Sequence, residues 1–177
     1  EGYVLVRNPY YPSLVTKFLL NPDVVDVIGF CTKNPRPMFK YLDELKPFGQ
    51  FWYISITGFD KDIEPNVPSI DQVIEDFKFL SYKVGKNAIA LRYTPIIINE
   101  KYTLQRHIDT IEYITSKLEG YTSLAVFGFV DIYDKLKRNH PEIIDCDDSL
   151  KIIIAKEFLK IANKHHMELR LCSKEKW

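Results

Sequence analysis

The chain has 177 residues, and its 24 lysines and arginines balance 24 aspartates and glutamates, so the formal net charge is zero. That balance argues against broad, charge-driven nucleic-acid binding, which needs a basic footprint. With 46% hydrophobic and 14% aromatic residues, the composition excludes disorder and suits a single domain with a sizeable core.

Residues 3–7, YVLVR, are rich in β formers and stop at the turn signal Asn8-Pro9. Residues 24–31, VVDVIGFC, predict a second strand. Pro35 and Pro37 bracket the start of a helix running to about residue 46, with Met38, Tyr41, Leu42 and Leu45 on one face. Pro47 and Gly49 stop it. Residues 51–57, FWYISIT, read as a third strand, nearly continuously apolar as in a sheet covered on both faces. A long polar loop follows, containing Asp60, Asp62 and Glu64-Pro65. Ser69, three residues before Gln72, forms a capping box for a helix whose apolar positions are Ile70, Val73, Ile74, Phe77, Leu80 and Val84, closed by Gly85. Residues 88–93 predict the fourth strand. Thr103 caps a helix to about residue 119 with Ile108, Ile111, Ile114 and Leu118 on one face. Residues 124–130, LAVFGFV, predict the fifth strand, and 132–139 a short helix cut by Pro141. Residues 149–163 predict a helix presenting Leu150, Ile153, Ile154, Phe158 and Ile161 inward, and 168–172 the sixth strand.

Six strands with helical crossovers imply a parallel sheet, because parallel neighbours need long, right-handed connections. A closed eight-stranded barrel usually takes about 250 residues. The expected fold is therefore α/β: a partial (β/α)6 TIM-like barrel, open and curved. The alternative is a doubly wound sheet, against which no G-x-G-x-x-G follows the first strand and no Walker loop appears. In a parallel β/α protein the strand ends gather on one face, where such folds place their chemistry. Here those ends carry Thr32-Lys33-Asn34-Pro35, Thr57-Gly58, Arg92-Tyr93-Thr94-Pro95, Asp131 and Cys172.

Lys33 at a strand tip is placed to meet a carboxylate or phosphate, and Asn34 to orient a polar ligand; otherwise Asn34 caps the next helix and Lys33 is solvated. Glu64 is a ligand for hydroxyls or an amine, or a surface carboxylate before a turn proline. Asp60 and Asp62 read as plain loop residues. Arg92 either clamps a carboxylate bidentately or pairs with a neighbouring acid such as Asp131. Asp131 is then a general base or simply that partner. Cys172 is a thiol donor, an extra metal ligand, or a small buried hydrophobe. Cys31 reads as core, and Cys146 as a loop thiol whose acidic neighbours raise its pKa. The three cysteines are widely spaced and give neither a disulfide framework nor a zinc pattern, which suggests a reducing, cytoplasmic setting. His107, His140, His165 and His166 match no metal-ligand spacing. His165 and His166 close a helix, where a cation is favourable. Tyr10-Tyr11 and Phe51-Trp52-Tyr53 offer rings that stack on bases, or, for the second group, pack in the core. No apolar run reaches the roughly 20 residues of a membrane helix. The start at Glu1-Gly2-Tyr3, without an initiator methionine or leader pattern, suggests a fragment.

The segments GYVLVRNPY, VDVIGFCTKNPRPMFKYLDEL, DIEPNVPS, ALRYTPII and FVDIY resemble an uncharacterised bacterial family, domain of unknown function "eighteen forty-eight". That family is similar in turn to radical S-adenosylmethionine enzymes of the spore photoproduct lyase type, through the EP-x-x-PS loop before a helix and an R-x-x-P-I strand end. The resemblance implies an N-terminal strand with an S-R-R-T-D tip and a C-terminal cysteine cluster, neither of which this sequence contains. Arg92 matches an R-Y-D-P tip, with Thr94 in place of the acidic residue. Cys172 falls where the family has a cysteine after the last strand. For the full-length family the resemblance implies a [4Fe–4S] cluster and S-adenosylmethionine, with the barrel supplying position and water exclusion. It implies no cluster bound by this chain alone.

The expected function is thus the barrel portion of a radical S-adenosylmethionine-like iron–sulfur protein acting on an unknown substrate. The alternatives are a cofactor-independent barrel enzyme binding an anionic ligand and a non-enzymatic binding or adaptor domain. An incomplete barrel leaves open sheet edges, which missing chain segments or a partner would cover.

Overall fold

The computed structural model describes residues 2–172. Seven strands form two sheets. β1 (Tyr3–Arg7) and β2 (Val15–Leu19) make an antiparallel hairpin, pairing Tyr3 with Leu19 and Arg7 with Val15. β3 (Val27–Thr32), β4 (Gly49–Ser55), β5 (Ile89–Ile96), β6 (Leu124–Phe129) and β7 (Glu168–Leu171) form a five-stranded parallel sheet in that order.

This corrects the expected sixfold repeat. Residues 3–7 are a strand, but their partner is the unforeseen β2, reached through a turn in which the Asn8 side chain accepts from the amides of Tyr10 and Tyr11. The connection is too short for a parallel crossover. The sheet is open among the described residues, with β3 and β7 at its edges. The helix expected up to residue 46 is a short 3₁₀ helix, Arg36–Tyr41, followed by turns. Its cap is Pro35, with no side-chain bond, so Asn34 does not cap it.

α1 (Ile70–Val84), α2 (Leu104–Leu118), the short α3 (Asp134–Asn139) and α4 (Asp148–Lys164) supply the remaining helices. Ser69 Oγ accepts from the Gln72 amide, Thr103 Oγ1 from Arg106 and Asp147 Oδ1 from Leu150, so each long helix starts on a side-chain cap. Gly85 ends α1 at φ +91°, a conformation costly for any residue with a Cβ. Sequential strand order with right-handed crossovers places α1, α2 and α4 on one side of the sheet. That side is the core. Trp52 and Ile54 of β4, Leu91 and Tyr93 of β5, and Phe127 of β6 pack against Phe77, Ile114 and Phe158 from the three helices. Each such side chain contributes about 1.5–3 kcal/mol of burial. Within the core, His107 bridges the Tyr93 hydroxyl (2.7 Å from Nδ1) and the Ile97 carbonyl (2.8 Å from Nε2). The carbonyl only accepts, so Nε2 carries the proton and Nδ1 receives the Tyr93 hydrogen. Burial pushes His107 below its ordinary pKa and the Tyr93 phenol above its own.

None of these three long helices lies on the other side of the sheet. Pleating puts Tyr53, Ser55, Ala90, Arg92, Thr94, Val126 and Gly128 there. Between Tyr93 and Ile96 the register against β6 slips, so Thr94 and Pro95 together oppose Gly128 and Ile96 returns to the core side.

Where β4 begins, the Gly49 amide donates to the Asp26 carbonyl at 2.8 Å. A Cβ at Gly49 would lie 2.9 Å from that same oxygen and 3.0 Å from Val27 Cγ2. Gly49→Ala is therefore expected to destabilise the fold by about 1–3 kcal/mol, read from the urea midpoint. An unchanged midpoint would mean that the β3–β4 start is loosely held.

Candidate functional site

The loop after β4 folds back so that Glu64 meets Lys33 from the end of β3. Lys33 Nζ lies 2.6 Å from Glu64 Oε1 and 3.2 Å from Thr57 Oγ1. The Thr57 hydroxyl donates to the Glu64 carboxylate at 2.8 Å. The Glu64 side chain is only 11% exposed and that of Lys33 31%, so the triad is partly shielded from solvent. Thr57, Glu64, Ser55, Gly58, Ser69 and Arg106 also help to line a pocket of about 390 Å³ at the carboxyl end of β4. Lys33 and Arg92 are not among its walls.

Asp60 and Asp62 are more than loop filler. Asp60 is 2.9 Å from Lys101 and 2.8 Å from Arg106, and Asp62 is 2.9 Å from Lys101. The Tyr102 hydroxyl donates to Asp62 at 2.7 Å and accepts from the Asp60 amide at 3.0 Å. These bonds tie the loop carrying Glu64 to the start of α2. The Lys101 contact, then that of Tyr102, holds the Asp62 carboxyl down to about 2. A carboxylate depressed by folding stabilises above its unfolded pKa and loses that contribution as pH falls through the folded value. The loop is therefore expected to open between the usual carboxylate range and about pH 2. Amide exchange across residues 58–68 should speed up in that window relative to β5, and unchanged exchange would show that Asp62 does not hold the loop.

Arg92 lies half-buried on the side away from the long helices. Its Nη1 donates to Ser55 Oγ at 3.3 Å, and it has no carboxylate partner among the described residues. The pair with Asp131 does not form. Asp131 is exposed just beyond β6. Two other cations near this side are paired, Lys33 with Glu64 at 2.6 Å and Arg170 with Glu168 at 2.7 Å. Asn34 is exposed, and only its backbone bonds, to Thr32 Oγ1. Cys172 is exposed after β7, not buried, with its Cβ close to Gly128.

Of the six candidates, the fold joins Lys33 and Glu64 directly and sets Arg92 one strand away. Asn34 is adjacent and turned to solvent, whereas Asp131 and Cys172 belong to the β6–β7 half. The sequence marks Thr57 only as part of a strand tip, with no role, and Ser55 not at all. The small hydroxyls at alternate positions were the available signal, since a strand buried equally on both sides has no use for them.

The cysteines do not fit a shared cluster. Cys31 is the penultimate residue of one edge strand, β3, and Cys172 follows the other, β7. Four strand spacings separate them, about 19 Å along the sheet, whereas a cluster needs thiolates converging on one point. Cys146 is buried before α4. Burial raises its thiol pKa most, and Asp145 and Asp147 add less. Among the described residues no group of three or more His, Cys, Asp or Glu could hold a metal ion. No described helix is long and apolar enough to cross a membrane.

Fold and rim together define an α/β protein with an open parallel sheet, its long helices on one side and a polar site at the strand ends. The chain belongs to the family described as Domain of unknown function (DUF1848), whose model matches residues 1–177. No curated protein and no solved structure matches it.

Proposed function

We propose that this chain is the substrate-binding partial barrel of a radical S-adenosylmethionine-like enzyme, holding a small anionic substrate on the side of the sheet away from the long helices. One observation carries the binding part of this reading: Arg92 is half-buried there with only a serine hydroxyl for company, while Lys33 and Arg170 are already paired. A guanidinium so placed is suited to a carboxylate or phosphate. Glu64 Oε2 accepts only from Thr57, so it can receive a further hydrogen bond from a substrate hydroxyl or amine. Asp131 and Cys172, at the far half of the rim, are the candidates for proton and thiol chemistry.

The reaction class rests on the sequence resemblance. Because the cysteines here do not build a cluster site, this reading assigns the cluster to other parts of the polypeptide, and the residues of this chain bind, orient and shield the substrate. Anaerobic reconstitution of the polypeptide with its flanking coding sequence tests it. Bound iron and sulfide, together with reductive cleavage of S-adenosylmethionine, are the expected results. A protein that takes up no cluster and cleaves no cofactor would end the radical reading and leave Arg92 to a cofactor-independent enzyme.

The hairpin favours a second reading, a binding or adaptor domain. Val4, Val6 and Phe18 share one of its faces and Leu5 and Leu19 the other, and all are exposed. A two-stranded hairpin is marginal in water on its own. Light scattering is the check: a stable assembly broken by Phe18→Asp would support this reading, and a monomer at all concentrations would count against self-association.

A further inference from the structure

The bulge in β5 places Thr94 in a position that the rim reading does not use. Thr94 is 7% exposed, and its hydroxyl has no hydrogen-bond partner among the described residues. No buried side-chain nitrogen or oxygen among the described residues lacks a partner, so the Thr94 hydroxyl itself opens to solvent on this face, where a ligand can reach it. It sits on the side away from the long helices, two residues beyond Arg92 on the same strand. A first side-chain carbon at Gly128 would lie 3.0 Å from Thr94 Oγ1 and 3.3 Å from Cys172 Cβ. Glycine is thus what lets Thr94 lean across the neighbouring strand. The result is a donor hydroxyl and a guanidinium on one face of one strand, neither engaged with an acid.

We infer that Thr94 and Arg92 form a subsite for a single carboxylate group of the substrate, with Gly128 as its floor. The inference rests on the substrate-binding reading above and narrows its ligand class. The charge count selects the carboxylate. Lys33 and Arg170 are neutralised by Glu64 and Glu168, so Arg92 supplies the only uncompensated positive charge among these groups. One positive charge matches a carboxylate monoanion better than a phosphate dianion. The planar guanidinium takes two carboxylate oxygens side by side, and the Thr94 hydroxyl has a lone pair of either to donate to.

The test is an amide-detected NMR titration of the intact protein with acetate and, separately, with inorganic phosphate. Acetate is expected to give saturable shifts at Thr94 and Gly128 and to bind more tightly than phosphate. Thr94→Val should weaken acetate roughly tenfold, and Thr94→Ser should restore it. Arg92→Gln should abolish saturation. Thermal melts of the variants confirm that the fold is retained. Tighter binding of phosphate, or no saturable acetate shift, overturns the carboxylate subsite. If Arg92→Gln abolishes binding while Thr94→Val leaves it unchanged, the subsite falls and the broader reading stands. If Arg92→Gln changes nothing, both fall.

Discussion

Phe158→Ala is expected to cost about 3–5 kcal/mol of folding stability, a large share of the roughly 5–15 kcal/mol that holds a typical domain together. Phe158 is fully buried on α4 and meets Tyr93 of β5 and Phe127 of β6 at ring-centroid distances of 5.5 and 5.7 Å. It therefore joins one helix to the adjacent strands β5 and β6. Removing it takes away the burial of a large ring and leaves a cavity bordered by rigid aromatics, which cannot collapse to fill it. The damage would spread, because Tyr93 also orients His107. The comparison is Tyr82→Ala on α1, a ring 84% exposed, which should cost within about 0.5 kcal/mol. Equal losses in urea unfolding for the two variants would mean that α4 does not seal the core.

Lys33→Met is expected to damage both the loop and ligand binding. It strips the shielded Glu64 carboxylate of its cation and leaves only Thr57 as donor. Breaking a fully buried pair costs about 3–5 kcal/mol. Lys33 is nearly a third exposed, so solvent screening lowers the expected loss to about 1–2 kcal/mol. The effect on binding is electrostatic. Ser55 and Thr57 point the same way two residues apart, which puts the Glu64 anchor roughly 7 Å from that of Arg92. At that separation an uncompensated anion repels a bound carboxylate by about 2 kcal/mol at an intermediate dielectric. Acetate binding should weaken tenfold or more. The double variant Lys33→Met with Glu64→Leu should bind as the parent does, because the charge facing Arg92 is restored. A double variant as weak as the single one would show that Lys33 acts through direct contact instead.

Much of the scaffold was legible before any coordinates. The periodicity of residues 70–84, 104–118 and 149–163, with Ser69 and Thr103 before the first two, marked the three long helices. Five of the six expected strands lie in the parallel sheet. The signal failed where local pattern and long-range pairing part company. VTKFL carries a lysine and a threonine among its apolar residues and reads as nothing in particular, yet it is β2, because Tyr3–Arg7 lies opposite it in register. The proline-bracketed segment 36–46 has apolar residues at helical spacing, but it settles into one short 3₁₀ run. The loss of Pro37 as a donor favours tight turns over an α-helix there.

The candidate site divides in the same way. Residue types at strand ends marked Lys33, Arg92, Asp131 and Cys172 as candidates, since strand tips follow from hydrophobic periodicity, and the polar loop after the third strand marked Glu64. Which of them meet was decided only by the tertiary structure. Lys33 finds Glu64 across 31 residues because a loop returns over the sheet, and Arg92 finds Ser55 in place of Asp131 because β5 pairs with β4 at that height. The physical reason is range. Helix and strand preferences are set by neighbours a few positions away, whereas charge pairing and the open hydroxyl of Thr94 depend on strand order, register and a one-residue bulge that no local pattern encodes.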